Sequence, residues 1–350
     1  MLTIGVDAHK HVHVAVALDP TGREVGRWRG ANRPDDWQGL LAWAVGLGER
    51  RQWGVEGAGN YGHGLAQHLV AAGEAVREVN PRLTAEGRRR ARRRDKTDRL
   101  DAHAVGRAVQ REERLPAVAA EGEAEAIDLL VAEREAAVAE ATRLRNRAHQ
   151  LLGRLDPAYQ ARLPRLTTAA GVAALAAYAA EGDDLRQQRA AAVRRLARRL
   201  QLVLEQVAEL DGQIEPRARA RWSPLLEICG VGPLTAAALA GILGSGPRFA
   251  SEAQVAAYAG VAPLEASSAG RVRHRLNRGG HRQLNAIIYR IAVTQARHSP
   301  AARAYLARRV AEGKTKREAL RALKRYIVRA VWKRWQECHG QVGPAAGRAA

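Results

Sequence analysis

The sequence contains few cysteines and no long apolar run, and both shortages narrow the class of protein. The 350 residues include two cysteines, Cys229 and Cys338, which form no CxxC pair. We therefore expect neither a disulfide framework nor a zinc site. The longest apolar stretches, near 169–180 and 231–243, are too short and too rich in alanine and glycine to span a bilayer. These features predict a protein of a reducing cytoplasm with no membrane partner.

Lysine is also scarce, at six positions, although the chain carries 57 Lys+Arg against 36 Asp+Glu and a formal net charge of +21. Almost all of the positive charge is therefore arginine, whose planar guanidinium suits bidentate phosphate contacts. The charge predicts a polyanionic partner and salt-sensitive binding. A GC-rich genome also favours arginine, alanine and glycine, so composition alone is weaker evidence for nucleic acid than the net charge suggests.

The densest charge lies between Arg88 and Asp101, which reads RRRARRRDKTDRLD. The arginines are Arg88, Arg89, Arg90, Arg92, Arg93 and Arg94. Three acids follow them, Asp95, Asp98 and Asp101. Carboxylates three residues apart on a helix share one face and can bind a divalent cation. Phosphate-binding arginines beside such acids predict metal-assisted phosphodiester chemistry, with Asp95 as an ion-pair partner.

Hydrophobic patterns divide the chain into three regions and a tail. Residues 1–115 alternate between strand and helix patterns, which predicts a mixed α/β sheet domain. Residues 116–220 contain two helical stretches, 121–155 and 185–214, which predict a long antiparallel hairpin of the coiled-coil type that acts as a spacer or dimerisation arm. Residues 221–340 are mostly helical, with basic helices at 284–297 and 299–334. Residues 341–350 are predicted to be a disordered tail.

Four acids form the candidate catalytic cluster. Asp7 and Glu56 each end a predicted strand, and a helix that carries Asp98 and Asp101 could pack across those ends. Four carboxylates together would repel one another unless cations are bound, and two divalent metals fit such a site. The alternatives are helix caps and ordinary ion pairs. The histidines beside Asp7 are interpreted as a strand surface.

Two further segments are candidates for contact with nucleic acid. Gly230 and Gly232 lie in a helix-hairpin-helix-like turn, where backbone N–H groups at a helix N-terminus fit phosphate. Residues 259–285 contain two adjacent serines followed by Arg273, Arg275 and Arg278. One serine could attack a phosphodiester. On residue types alone, a basic loop whose serines cap a helix or touch phosphate is favoured.

Taken in order, the motifs resemble those of the DEDD-type insertion-sequence transposases, the IS110 group of bridge-RNA-guided recombinases. The matching pieces are Gly5-Val-Asp7-Ala-His-Lys10, Val55-Glu56-Gly-Ala-Gly-Asn-Tyr61-Gly, Lys96-Thr-Asp98-Arg-Leu-Asp101-Ala, Gly230-Val-Gly-Pro-Leu-Thr235, and Tyr258-Ala-Gly-Val-Ala-Pro263 through Arg275-Leu-Asn-Arg-Gly-Gly280. The resemblance implies an N-terminal RuvC-like (RNase H-type) domain, a central coiled coil and a C-terminal transposase domain. By motif match, Asp7, Glu56, Asp98 and Asp101 would bind Mg²⁺.

The resemblance also implies a serine nucleophile at Ser268. Ala269 stands where the family usually has glycine, which leaves Ser267 as a rival and an inactive copy as an alternative. Similar proteins insert and excise their own element, guided by a noncoding bridge RNA that pairs with donor and target DNA. We accordingly expect a nucleoid-associated homo-oligomer, dimer or tetramer. The other hypotheses are a metal-dependent nuclease that resolves Holliday junctions and a non-catalytic nucleic-acid binder.

Overall fold

The computed structural model describes residues 1–84, 97–113, 115–244, 249–265, 274, 275, 277 and 279–340. Within this range the chain forms two compact units, residues 1–122 and residues 123–340 without 245–248. Each unit has a hydrophobic core of its own. The predicted tail, 341–350, lies outside the described residues.

The first unit is built on a mixed five-stranded sheet, as the alternating patterns predict. The strands are β1 (Leu2–Ala8), β2 (Val12–Leu18), β3 (Glu24–Ala31), β4 (Arg51–Glu56) and β5 (Val76–Val79). Their order across the sheet is β3-β2-β1-β4-β5. The first three strands are antiparallel neighbours, whereas β4 pairs parallel with both β1 and β5. This arrangement is consistent with the expected RuvC-like domain.

Helices cover both faces of the sheet because its central strands are apolar on both sides. The helices α1 (Pro34–Leu47) and α2 (His63–Ala71) pack on the face that presents Ile4, Val6 and Trp53. Helix α3 (Asp98–Arg111) packs on the opposite face through Ala102, Val105 and Val109. The strand side chains on that second face include Val16, Leu18 and Val79.

The second unit opens with the predicted helical hairpin. Helix α4 (Glu123–Leu155) runs antiparallel to α7 (Asp184–Arg221), since Arg134 pairs with Asp211 and Glu140 with Arg199. Two short helices, α5 (Pro157–Arg162) and α6 (Ala169–Ala176), lie in the connection. Helix α7 continues past its predicted end at Ile214 and through Pro216, because Ile214 and Ala218 are both buried in the same core. A coiled-coil supercoil stays a prediction.

The remainder of this unit is mostly helical, as expected. Its elements are α8 (Ser223–Leu226), α9 (Pro233–Leu243), α10 (Glu252–Tyr258), β6 (Leu264–Glu265), β7 (His274–Arg275), α11 (Arg282–His298), α12 (Pro300–Ala311) and α13 (Lys316–Gly340). The stretch 299–334, predicted as one helix, is instead divided. Gly313 has a φ of 86° and follows α12, and Thr315 exchanges hydrogen bonds with Glu318 in a capping box that starts α13. No helix in the described part of the chain is long and apolar enough to cross a membrane.

Candidate active site

Two glycines on the sheet allow α3 to approach its backbone closely. Gly5 and Gly54 are register partners on β1 and β4, so they face the helix side by side. A Cβ added at Gly5 would lie 2.2 Å from the Ala102 carbonyl oxygen and from the Gly106 nitrogen. A Cβ at Gly54 would lie 2.3 Å from a methyl carbon of Val109. Side chains at either glycine would therefore push the helix, and the acids it carries, away from the sheet.

Asp7 and Glu56 lie side by side two residues beyond these glycines. They are register partners at the carboxyl ends of the parallel strands β1 and β4. Because side chains alternate along a strand, both acids lie on the face that α3 covers. Asp7 is 6% exposed and Glu56 is half-buried. The predicted convergence of strand-end acids therefore has a direct structural basis, since the sheet register sets their separation.

Asp98 and Asp101 occupy the first turn of α3, at the same edge of the sheet. Thr97 caps this helix, and its hydroxyl accepts a hydrogen bond of 3.3 Å from the Leu100 nitrogen. Asp101 is 4% exposed, whereas the side chain of Asp98 is about half exposed to solvent. The cap fixes where the helix begins, and with it the position of both acids.

His9 joins two of these acids, which the sequence interpretation missed. It lies in the turn between β1 and β2, with Nε2 3.0 Å from Asp7 Oδ2 and 3.7 Å from Asp98 Oδ1. One potential ligand atom from each of Asp7, His9 and Asp98 falls within 4.8 Å of the others. The expected strand surface was also wrong for His13, which is fully buried and whose pKa is lowered by that burial. The Asp7-x-His9 spacing across a strand end is the signal that could have identified His9.

The electrostatics of Asp7 suit a bound cation. Burial raises the pKa of its carboxyl, His9 opposes that rise, and the negative charges of Asp101 and Asp98 add to it. Carboxylate oxygens with one imidazole nitrogen are ligands for a hard divalent cation such as Mg²⁺ or Mn²⁺. The donor set therefore fits a divalent metal. Glu56 and Asp101 lie at the same edge, outside the tight group that Asp7, His9 and Asp98 form.

Two arginines of β3 adjoin the acids and were not predicted. Arg29 pairs with Val14, which pairs with Asp7, so this row of the sheet places Arg29 on the face of the acids. Arg27 and Arg29 are both exposed, and they line a cavity of about 530 Å³ together with Thr97 and Asp98. Guanidinium groups here can hold a phosphate next to the carboxylates. The Arg-Trp-Arg alternation over 27–29 is the sequence signal for this pair.

In the second unit, Gly260 and Gly280 lie close together on either side of the segment that carries the serines. Gly260 has a φ of 66°, and a Cβ added at Gly280 would lie 2.4 Å from the Gly260 Cα. Nearby, the Asn277 side chain donates to the Ala257 carbonyl oxygen over 3.3 Å and accepts from the Gly279 nitrogen over 3.0 Å. These contacts hold residues 257–260 against residues 277–280.

Several predicted residues lie outside the described part of the chain. They are Arg88, Arg89, Arg90, Arg92, Arg93, Arg94, Asp95, Ser267, Ser268, Ala269, Arg273 and Arg278. Arg275 is described as a backbone position of β7. The roles assigned to these residues stay predictions.

The predicted helix-hairpin-helix turn lies between α8 and α9. Gly230 has a φ of 90° and packs close to Thr294 of α11, while Gly232 is the N-cap of α9. Gln295 donates to the Cys229 carbonyl oxygen over 2.9 Å, which fastens the turn to α11. The first helix of the motif is a single turn of four residues. Phosphate binding at this helix N-terminus stays a prediction.

Two models of protein families match parts of the chain. Residues 4–157 match the DEDD model of IS110 proteins, which is described as a transposase, and residues 223–307 match a model described as the transposase IS116/IS110/IS902 family. The first match contains Asp7, Glu56, Asp98 and Asp101. The second contains both serines and the glycines that flank them.

Three relatives are similar over part of their lengths. The chain is 39% identical over 133 residues to an uncharacterized 43.6 kDa protein of insertion element IS110 from Streptomyces coelicolor, covering 37% of this chain and 33% of that protein. It is 28% identical over 221 residues to a probable family 20 transposase from Pseudomonas aeruginosa, covering 60% and 61%. It is 31% identical over 169 residues to an uncharacterized 42 kDa protein of insertion element IS900 from Mycobacterium paratuberculosis, covering 47% and 42%. The matched regions thus span less than two thirds of each relative.

Proposed function

We propose that this chain is a DEDD-type transposase of the IS110 group that cuts and rejoins DNA to insert and excise its own insertion sequence, and the family matches of residues 4–157 and 223–307 support the proposal. The observation that carries the proposal is the row of acids at the end of the sheet. Asp7 and Glu56 are adjacent by register, and Asp98 reaches the same edge because Gly5 and Gly54 admit α3. Acids grouped in this way are better explained as a site for phosphoryl transfer than as partners in structural ion pairs.

Asp7, Glu56, Asp98 and Asp101 would hold Mg²⁺. When bound, the ion would neutralise charge on the phosphoryl oxygens. Arg27 and Arg29 would hold the neighbouring phosphates of the DNA strand, since they lie on the same face of the sheet. The arginines at 88–94 are proposed to contact the DNA or RNA backbone as well.

Ser268 is proposed as the nucleophile. Its hydroxyl oxygen would form a bond to phosphorus while the phosphorus–oxygen bond to one strand breaks, and the serine proton would pass to the departing strand oxygen. Attack by another strand end on the serine phosphate reverses these changes, so cutting and rejoining need no external energy source. Support comes from the family match of residues 223–307 and from the close approach of Gly260 and Gly280 on either side of the serines.

The sequence specificity and assembly are also proposed from the resemblance. A bridge RNA would pair with donor and target DNA, so base pairing would select the sites. Homo-oligomers would combine the acids of one subunit with the serine of another. The net charge of +21 is consistent with binding long nucleic acids.

A denaturing gel that detects protein–DNA adducts tests this function. With Mg²⁺, guide RNA and labelled donor DNA, wild type should form an adduct, whereas Ser268→Ala should form none yet still bind RNA. An adduct that persists in Ser268→Ala and disappears in Ser267→Ala would move the nucleophile by one residue.

A metal-dependent nuclease is the second candidate, because Asp7, Glu56, Asp98 and Asp101, which we call the acid edge, all lie within the first unit. Cleaved DNA without an adduct, unaffected by either serine substitution, would support it. Activity that survives both Asp7→Ala and Glu56→Ala would instead indicate a non-catalytic role for the acids.

A further inference from the structure

The second unit contains a basic cavity of about 560 Å³ that none of the proposed catalytic steps uses. Its walls are residues 260–263, Asn277, helix α12, helix α13 and Lys314 in the connection between these helices. We call it the basic cavity. Pro263 directly precedes β6 and Asn277 follows β7 by two residues, so the cavity lies at the base of the hairpin whose connection carries both serines.

Positive charge dominates the lining. The basic side chains are Arg308, Arg309, Lys314, Arg321, Lys324 and Arg325. Three carboxylates lie within ion-pair distance of members of this set, namely Glu252, Glu312 and Glu318. Even if each acid neutralises one base, the cavity keeps an excess of positive charge. An anionic ligand is therefore expected there.

Lys324 is the buried basic side chain of this lining. It is 8% exposed, and burial lowers the pKa of its ammonium group. Its Nζ donates to Asn285 Oδ1 over 2.8 Å, and the Asn285 amide in turn donates to the Ala259 carbonyl oxygen over 2.7 Å. An ammonium has three donors, and the Asn285 bond uses one of them. A buried cation of this kind favours a site in which an anion completes its environment.

Aromatic side chains complement the charge. Tyr305 and Tyr326 line the cavity and meet edge to face, with ring centroids 5.1 Å apart. Tyr326 is 52% exposed, which leaves much of its ring available. The guanidinium of Arg308 lies 5.4 Å from the centre of the Tyr305 ring. Arginine and tyrosine together form the type of surface on which single-stranded nucleic acid binds, phosphate on the cations and base on the ring.

We propose that the basic cavity binds one unpaired nucleotide of a single-stranded nucleic acid, with its phosphate toward Lys314, Arg321 and Lys324 and its base against Tyr326. The volume fits a nucleotide and excludes a duplex. This inference rests on the proposed function for the identity of the polymer. It extends that function, because it places a nucleotide-holding site beside the ends of the serine segment.

Photo-crosslinking of the full chain provides the test. The probes are a short oligothymidylate with one 4-thiothymidine and a short oligouridylate with one 4-thiouridine, irradiated without metal and mapped by mass spectrometry. Adducts should map to the peptides that contain Tyr305 or Tyr326. The polymer with the higher yield identifies the source of the nucleotide as DNA or RNA.

Two double variants that lose the same charge distinguish binding in the basic cavity from attraction by the overall positive charge of the chain. Lys314→Gln with Arg321→Gln changes the lining, whereas Arg303→Gln in α12 with Lys316→Gln in α13 changes exposed residues outside the lining. The first pair should lower the yield of these adducts roughly ten-fold, and the control pair less than about two-fold. Tyr326→Leu, which keeps the charge, should lower it by about five-fold or more through lost stacking.

Equal losses in both double variants, or adducts that map away from α12 and α13, would overturn the proposal. Thermal melts of each variant check that the fold is kept. The crosslinking assay needs no strand cleavage, so its result is independent of the serine adduct test. Loss of the crosslinks would reject the basic cavity without bearing on the nucleophile. Loss of the serine adduct would leave the crosslinks measurable.

Discussion

The acid edge of the first unit and the basic cavity of the second are built in contrasting ways. At the acid edge, Asp7 and Glu56 are placed by backbone hydrogen bonds within one sheet. The basic cavity depends instead on long side chains of α12 and α13, with Lys324 as the buried member. Strand register thus fixes the two strand acids that would hold a metal, whereas the proposed phosphate-binding side chains have more conformational freedom.

Both regions nevertheless rely on glycine where two backbone segments approach. Gly5 and Gly54 admit α3 at the acid edge, and Gly260 and Gly280 meet beside the basic cavity. At all four positions an added Cβ would lie within 3.2 Å of another atom. Since register leaves less room for adjustment than flexible side chains do, substitutions at the acid edge should have the larger effects.

The largest effect is expected from Asp7→Asn. It removes one negative ligand while keeping the shape of the side chain, so DNA cleavage should fall by about a thousand-fold or more, corresponding to several kcal/mol of lost charge stabilisation. Cleavage of labelled donor DNA under single-turnover conditions measures the loss. The matched control is Asp35→Asn, an exposed acid in the first turn of α1, which should cleave like wild type. Equal activity in all three proteins would remove Asp7 from the mechanism.

Gly5→Ala tests whether the close approach of α3 matters. The new methyl would meet the Ala102 carbonyl and the Gly106 nitrogen, so the free energy of unfolding should fall by roughly 1–3 kcal/mol. Gly39→Ala, inside α1 with nothing within 4 Å of the added Cβ, should instead raise it by about 0.5–1 kcal/mol. Urea denaturation measures both. If Gly5→Ala were as stable as wild type, α3 would not pack as closely against Gly5 as the structure shows.

Arg27→Gln with Arg29→Gln tests the cavity beside Asp98. Loss of two phosphate contacts should weaken DNA binding and reduce the slope of log affinity against log salt by about 2. Fluorescence anisotropy at several salt concentrations measures the slope. A control with Arg154→Gln, in the last turn of α4, and Arg162→Gln, in α5, carries the same charge loss. A similar change in slope for both pairs would assign the effect to overall charge.

The smallest effect is a pH dependence of stability that arises from Asp7. Burial raises the pKa of this carboxyl above its ordinary value of 3.8, so the folded chain holds this proton more tightly than the unfolded chain does. The stabilisation is fully present below the ordinary value and is lost as pH rises through the raised, folded-state value. In chelator-treated protein, the melting temperature of wild type relative to Asp7→Asn should therefore fall across that window. A difference in melting temperature that stays constant with pH would contradict a raised pKa for the buried Asp7 carboxyl.

Much of the acid edge could be predicted from the sequence, because strand ends and a helix start are local patterns. The Leu2–Asp7 and Trp53–Glu56 runs predicted the two strand ends, and Asp98 and Asp101 shared a predicted helix face. The role of His9 was missed because its contacts with Asp7 and Asp98 depend on the turn after β1. Arg29 was missed because its relation to Asp7 runs through the register of three strands.

In the second unit, the break near Gly313 was missed because the basic helical pattern continues on both sides of it. The local signals were present: a glycine followed by Thr315 and Glu318, which form a capping box. The basic cavity could not be predicted, since its walls come from segments that are distant in sequence, from Gly260 to Tyr326. Tertiary packing, which leaves no local periodicity, determines such a site.

Binding of Mn²⁺ to the full chain tests most directly whether the acid edge is a divalent cation site. Electron paramagnetic resonance of free Mn²⁺ gives the number of bound ions and their affinity, with Mg²⁺ as competitor. We predict saturable binding in wild type that Asp7→Asn and Asp98→Asn each weaken at least about ten-fold, since each removes a charged ligand. Asp35→Asn should bind as wild type does. Equal Mn²⁺ binding by wild type and Asp7→Asn would show that Asp7 is not part of a divalent cation site.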